Sequence, residues 1–197
     1  MASLVPLSAG DDCVRVGIDG VDGAGKTTFA DDLAAAVRRQ GRPVVRVSVD
    51  DFHHPRAIRY ARGRHSPEGF WQDSFDYARL TSDVLEPLGP GGTREFRRAA
   101  HALETDTVLD LPAQRAAPGS VVVLDGLFLH RDELVQYWDF SVLLDVPLSV
   151  SLARMAARDG SNADPSHPSV QRYVRAQQIY FRTCRPRERA SVVVDNS

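Results

Sequence analysis

Val14–Thr28 reads VRVGIDGVDGAGKTT, and the reading of this stretch decides the fold. Val14 to Asp19 is β-rich and runs straight into Gly20–Thr27, GVDGAGKT, which fits G-x-x-x-x-G-K-[S/T]. The glycines permit backbone angles that let successive N–H groups converge on phosphate oxygens. The helix predicted to follow adds its positive end to the same anion. Lys26 can then reach the β- and γ-phosphates of a nucleoside triphosphate, and the Thr27 hydroxyl can ligate Mg²⁺. The sequence contains a single lysine, Lys26, and its other 23 basic side chains are arginine. The one position that keeps a compact ammonium lies in the phosphate loop, where a planar guanidinium is a poor substitute.

Working outward, Thr27 to Gln40 has helical spacing, with Phe29, Leu33, Ala34 and Val37 on one face and Gly41 as a stop. Val44 to Val49 reads as a second strand ending at Asp50 and Asp51, followed by a long loop from His53 to Gln72. Asp73 is a candidate cap for a helix carrying Tyr77, Leu80, Val84 and Leu88. Residues 93–111 read as two irregular strands, REFRRA and DTVLDL, forming a small projecting hairpin. Val121–Asp125 is wholly apolar until its end, as in a parallel sheet covered on both faces, and Phe140–Leu144 reads as another buried strand. Leu148–Arg158 and Val170–Cys184 read as helices separated by the polar Gly160–Pro168, and Ser191–Val194 as a last strand. Alternating strands and helices imply βαβ units, with ligands beyond the carboxyl ends of the strands. Gly20, Asp50 and Asp125 fall at such ends.

The 197 residues carry a net charge of −2 and are 43% hydrophobic. That balance argues against a protein that coats nucleic acid, and no apolar run reaches the roughly 20 residues of a bilayer span. MASLVPLSAGDD does not read as a signal peptide, and Cys13 and Cys184 match no metal or redox spacing, so a cytoplasmic location is expected.

Asp125 closes the apolar strand VVVLD, where a carboxylate can hold Mg²⁺ directly or through water. Asp50 and Asp51 both stand where a carboxylate can face the γ-phosphate and take a proton from an attacking hydroxyl; strand alternation would let only one point inward. Six of the chain's 15 aromatics fall in residues 52–77, which suits stacking on an organic acceptor. Arg56, Arg59, Arg62 and Arg64 crowd the same stretch, either as a solvated loop or as an anion-recognition surface.

GVDGAGKTT after a strand, DDFHHP at the second strand end, PEGFWQDSFD and then VVLDG together resemble the uridine kinase and phosphoribulokinase group of P-loop kinases, with bacterial pantothenate kinase a more distant relative. The resemblance runs from about residue 14 to residue 196. It implies an α/β fold of the P-loop NTPase type: a three-layer αβα domain, 1–197, with a mainly parallel five-stranded sheet, a helical lid at about 154–175 and the small hairpin. It implies phosphoryl transfer from ATP with Mg²⁺ to a hydroxyl of a small acceptor, foremost a uridine-like nucleoside at its 5′-hydroxyl. Alternatives are a pantothenate-like or already phosphorylated acceptor, or a nucleotide-binding regulator with no organic acceptor. The family's D-S-F-Y segment matches Asp50-Asp51-Phe52-His53, which favours Asp50 as the base. Its lid helix matches Leu152–Asp159, implying that Arg154 and Arg158 act on the phosphates with Lys26. Gly20, Asp22, Gly23, Ala24, Gly25, Lys26, Thr27 and Thr28 would hold ATP, and Thr27 and Asp125 the metal. Asp51, Phe52, His53, Tyr60, Arg62, Phe70, Trp71 and Asp73 would surround the acceptor. The chain departs from the family pattern at His53, where a tyrosine is usual; in the arginine-free Gly160–Pro168, for which Arg172 or Arg175 are substitutes; and at Phe70–Asp73, near the family's ribose-gripping F-D-x-P. Neither nucleic acid nor membrane is an implied partner, and a homo-oligomer is left open.

Overall fold

The computed structural model describes residues Met1–Ser197. Strand β1 (Val14–Gly20) leads through the glycine loop into helix α1 (Lys26–Arg39), and strand β2 (Val44–Ser48) follows. Helices α2 (Arg56–Arg59), α3 (Pro67–Asp73) and α4 (Tyr77–Leu80) come next, and α4 continues into a π-helical turn, Thr81–Leu85. Four two-residue strands then alternate with turns: β3 (Glu95–Phe96), β4 (His101–Ala102), β5 (Thr107–Val108) and β6 (Gln114–Arg115). The chain ends with β7 (Val121–Gly126), β8 (Phe140–Asp145), α5 (Leu148–Asp159), α6 (Pro168–Cys184), α7 (Pro186–Arg189) and β9 (Val192–Asp195). No helix is long and apolar enough to cross a membrane.

The main sheet has five strands in the order β2-β7-β1-β8-β9, every pair parallel. Its faces are buried against different partners. Val14, Val16, Ile18, Val121, Val123, Val142 and Leu144 pack with Ala30, Leu33, Ala34 and Val37 of α1. Val122 and Leu124 face the other way, onto Phe52, Phe70, Trp71, Leu80, Leu85, Phe128 and Tyr180. Because neighbouring residues of one strand point to opposite faces and both faces are dry, the central strand β7 reads as an unbroken apolar run up to Asp125.

Register does the positioning. Asp125 of β7 sits opposite Ile18 of β1 and Ser48 of β2, so three strand ends come level at one edge. Gly126 makes this possible: a Cβ there would come within 2.5 Å of the Val49 side chain. The glycine lets the turn after β2 lie directly against the end of β7.

Four local expectations are corrected. β2 stops at Ser48, and Val49–Phe52 forms a 3₁₀ turn in which the Ser48 hydroxyl accepts from the Asp50 amide, so pleat alternation does not separate Asp50 from Asp51. Residues 53–72 are not an open loop; Ser66 caps α3 through its hydroxyl to the Gly69 amide, with Pro67 at the first helical position. Asp73 ends α3, and it is Asp76 that caps α4, accepting from the Arg79 amide at 2.9 Å. The 93–111 stretch is not one hairpin: β4 pairs with β5, while β3 pairs with β6 outside 93–111. Isolated two-residue ladders leave almost no side-chain periodicity from which their partners could be read.

Candidate active site

The glycine loop wraps the end of β1 through left-handed backbone at Gly23 (φ 69°) and Gly25 (φ 84°). Gly23 is doubly constrained, since a Cβ there would approach the Ser151 carbonyl oxygen of α5 to 2.7 Å. The first ladder bond of α1 runs from Phe29 N–H to Gly25 C=O at 3.0 Å, so the amides of Lys26, Thr27 and Thr28 point out of the helix end. Lys26 Nζ lies 2.8 Å from the Val21 carbonyl, which accepts its hydrogen bond across the loop. Amides, helix end and ammonium thus converge on one anion-sized space.

Thr27 Oγ1 donates to Asp125 Oδ2 at 2.9 Å, while Arg46 Nη2 lies 3.1 Å from Asp125 Oδ1. The hydroxyl and the carboxylate are hard oxygen donors, few in number. That suits Mg²⁺, which keeps most of its shell as water and phosphate oxygens. Two oxygens expected of the metal site are therefore already adjacent.

A cavity of about 340 Å³ opens over this loop, lined by Asp22, Gly23, Gly25, Lys26, Thr27, Thr28, Asp50, Asp125, Arg154 and Arg158 among others. Gly20 and Ala24 lie behind it; the buried Ala24 accepts from Asn196 Nδ2 at 2.8 Å. Arg154 Nη1 donates to the Asn196 carbonyl at 2.8 Å, and Arg158 pairs with Asp159 at 2.7 Å. Asp22 is held by Gln177, whose Nε2 donates to its carboxylate at 3.1 Å.

A second cavity, about 500 Å³, adjoins the first, and the two share Asp22, Asp50 and Leu127. Its walls include His53, Arg56, Arg59, Tyr60, Arg64, Phe70, Phe75, Arg172 and Tyr173. Asp50 stands at the junction, reaching solvent through the open cleft while crowded by its surroundings. That burial raises its pKa above the ordinary carboxylate value, with Asp125 adding to the effect and Lys26 and Arg158 opposing it. Asp22 is raised for the same leading reason. His53 donates from Nδ1 to the Asp50 carbonyl at 2.8 Å, and desolvation, assisted by Arg59, His101 and Arg172, lowers its pKa to about 4. It is neutral near pH 7. A still larger space of about 620 Å³ lies between α6 and the ends of β8 and β9, but its one cation, Arg187, is paired with Asp145 at 2.8 Å.

This geometry is accompanied by a match over residues 15–194 to the model of the phosphoribulokinase / uridine kinase family. The chain belongs to that family. Uridine kinase of Proteus mirabilis is 27% identical over 180 residues, covering 88% of this chain and 78% of the relative. Uridine kinase of Tolumonas auensis is 27% identical over 182 residues, covering 86% and 81%. Among solved structures, a "possible uridine kinase" from Bacillus stearothermophilus superposes with a TM-score of 0.76 at 27% identity, covering 98% of this chain and 93% of its own. The chain is accordingly an ATP-dependent small-molecule kinase with the P-loop αβα fold.

Of the residues expected around the acceptor, His53, Tyr60 and Phe70 line the second cavity. Five do not reach it. Phe52 and Trp71 are buried in the core, Trp71 edge-on to Phe128. Arg62 and Asp73 pair with each other at 3.0 Å. Asp51 lies outside both cavities, its carbonyl accepting from the Ala100 amide at 2.9 Å. The α3 segment is helical, so neighbours in sequence diverge: Phe70 looks into the cavity and Trp71 into the core. Arg172, considered only for the phosphates, instead reaches the acceptor side, and Arg175 is exposed. Gln177, Ser151 and Asn196, which brace the glycine loop, carried no sequence signal beyond polar residues on helices or after a last strand.

Proposed function

We propose that the chain moves the γ-phosphoryl group of ATP to a hydroxyl of a small organic acceptor lying in the 500 Å³ cavity. The single observation that carries this reading is the meeting of the two cavities at Asp50, opposite Lys26. In the step, the acceptor oxygen forms a bond to the γ-phosphorus as the bond to the β,γ-bridging oxygen breaks and ADP leaves. The hydroxyl proton passes to the Asp50 carboxylate and thence to solvent. The amides of the glycine loop and Lys26 hold the polyphosphate, and Arg154 and Arg158 neutralise charge on the moving group. Thr27 and Asp125 would hold Mg²⁺, which screens the negative charge of the triphosphate when bound. Residues 1–197 act in this reading as a single kinase domain, with 154–175 as its lid.

The names of the relatives support a uridine-like nucleoside, phosphorylated at its 5′-hydroxyl, as the reference acceptor. A regulator that transfers phosphate only to water would have no use for an organic-sized cavity abutting the triphosphate site. Asp50→Asn tests the reading: turnover should fall about 10²–10⁴-fold, with ATP affinity kept within a few-fold by calorimetry. Near-normal acceptor phosphorylation by this variant would remove Asp50 from the step. ATP hydrolysis without acceptor, as fast as any acceptor-dependent rate, would remove the acceptor.

A further inference from the structure

Four arginines, Arg56, Arg59, Arg64 and Arg172, line the acceptor cavity, and its only acids, Asp22 and Asp50, stand at the donor end. Two of the four are deeply buried: Arg172 is 6% exposed and Arg59 7%. Neither is properly neutralised. Arg59 has one carboxylate in reach, Asp106 at 3.6 Å, and the Arg172 guanidinium has none, spending its one side-chain bond on the Arg64 carbonyl at 2.7 Å. The Nε atoms of both Arg59 and Arg172 are buried without a partner. A buried guanidinium left this way is costly unless something supplies acceptors for its in-plane donors.

The rings around these arginines make the same point. Tyr60 has Arg59, Arg64 and Arg172 over its ring at 5.3, 5.5 and 5.1 Å, and Arg172 also lies 4.9 Å from the Phe70 centroid and 5.4 Å from that of Tyr173. Aromatic rings that would otherwise stack on a nucleobase are occupied in stacking guanidinium groups. A guanidinium lying over a ring is held in place through its face and keeps its in-plane N–H donors for oxygen acceptors such as a carboxylate or phosphate. Burial is the main reason that His53 is neutral, and Arg59 and Arg172 add to it in the same direction.

We infer that the acceptor carries an anionic group of its own, a phosphate monoester or a carboxylate, seated between Arg59 and Arg172 while its free hydroxyl meets Asp50. The inference rests on the kinase reading above and narrows its substrate class away from neutral nucleosides. The transfer is the one already written, from ATP to the acceptor hydroxyl, with the anionic group unchanged.

The test is ADP release from ATP and Mg²⁺ with three sets of acceptors: pentose and hexose monophosphates, small hydroxy acids including pantothenate, and uridine with cytidine. An anionic compound should exceed uridine at least 100-fold in kcat/KM, and which of the first two sets contains it separates phosphate from carboxylate. Arg172→Gln should raise that compound's KM at least 10-fold, with kcat and the KM for ATP within about three-fold. Arg64→Gln, at an exposed position where folding is secure, should raise the same KM by a smaller factor. With the loop saturated by ADP and Mg²⁺, inorganic phosphate or acetate should raise the melting temperature of the native chain and not of Arg172→Gln. Uridine or cytidine as the best acceptor, or an acceptor KM indifferent to both substitutions, overturns the inference and leaves the kinase reading standing. The absence of anion stabilisation in the ADP-saturated chain overturns it as well. Failure to bind ATP at all would sink both.

Discussion

Lys26 illustrates how one residue type at one place carries the chemistry. Its ammonium is compact enough to sit inside the loop against the Val21 carbonyl, from which phosphate oxygens can recruit it. A guanidinium is longer, planar and demands a fork of acceptors, so Lys26→Arg is expected to weaken ATP binding at least 10-fold by calorimetry. Unliganded stability should move by no more than about 0.5 kcal/mol, because the side chain makes a single hydrogen bond and arginine keeps its positive charge beside Asp22 and Asp50. His53 carries a second prediction. Its folded pKa of about 4 lies below the ordinary 6.5, so the unfolded chain takes up the proton first as pH falls. The stability associated with neutral His53 is intact above pH 6.5 and is lost as pH drops from 6.5 towards 4, by about 1–3 kcal/mol. Chemical denaturation across that window should show this slope in the native chain and a flatter one in His53→Gln, which keeps a donor for the Asp50 carbonyl but does not titrate. Asp50, Asp51 and Asp22, whose pKa values are raised, change stability in the opposite sense, so the difference between the two proteins isolates the histidine.

Among the elements, the 3₁₀ turn Val49–Phe52 and the end of β7 form one joint. Val49 presses on Gly126, Phe52 is fully buried, and Asp50 projects between them into the cleft. Gly126→Ala places a methyl group 2.5 Å from the Val49 Cβ, an overpacking expected to cost about 1–3 kcal/mol in unfolding experiments. Because the displaced element carries Asp50, kcat should fall while ATP affinity holds. A variant that loses stability with unchanged kcat would show that the turn yields without moving the carboxylate. The same joint explains what was and was not legible. An apolar strand ending in Asp125-Gly126 declares itself by composition, whereas a 3₁₀ turn of four residues has no period to read. The choice between Asp50 and Asp51 came from resemblance in the sequence, and the structure separates them by the winding of the turn. Helix α3 was similarly hidden: its Ser66-Pro67 cap is a sound signal, but seven residues are too few for helical spacing to emerge over the surrounding arginines and glycines.

For the whole molecule, binding should be felt as stability, since the loop, β7, α5 and the residues after β9 all converge on the donor cavity. ATP analogue and Mg²⁺ at 100 times the dissociation constant should add about 2.7 kcal/mol, seen as a rise in melting temperature that Lys26→Ala abolishes. Which parts of this arrangement a linear reading can reach follows from the range of the forces involved. Local rules suffice for the glycine loop, the strands buried on both faces, the helix behind the loop and, by way of the family pattern, the reaction class, because each is written in contiguous residues under steric and hydrophobic constraint. The acceptor chamber was decided in three dimensions. Arg172 enters it from a helix more than 100 residues downstream of Arg64, Trp71 leaves it because a helix turns neighbours about 100° apart, and Arg62 is withdrawn by Asp73. Charge, burial and stacking between distant segments depend on who meets whom, and only the folded chain arranges those meetings.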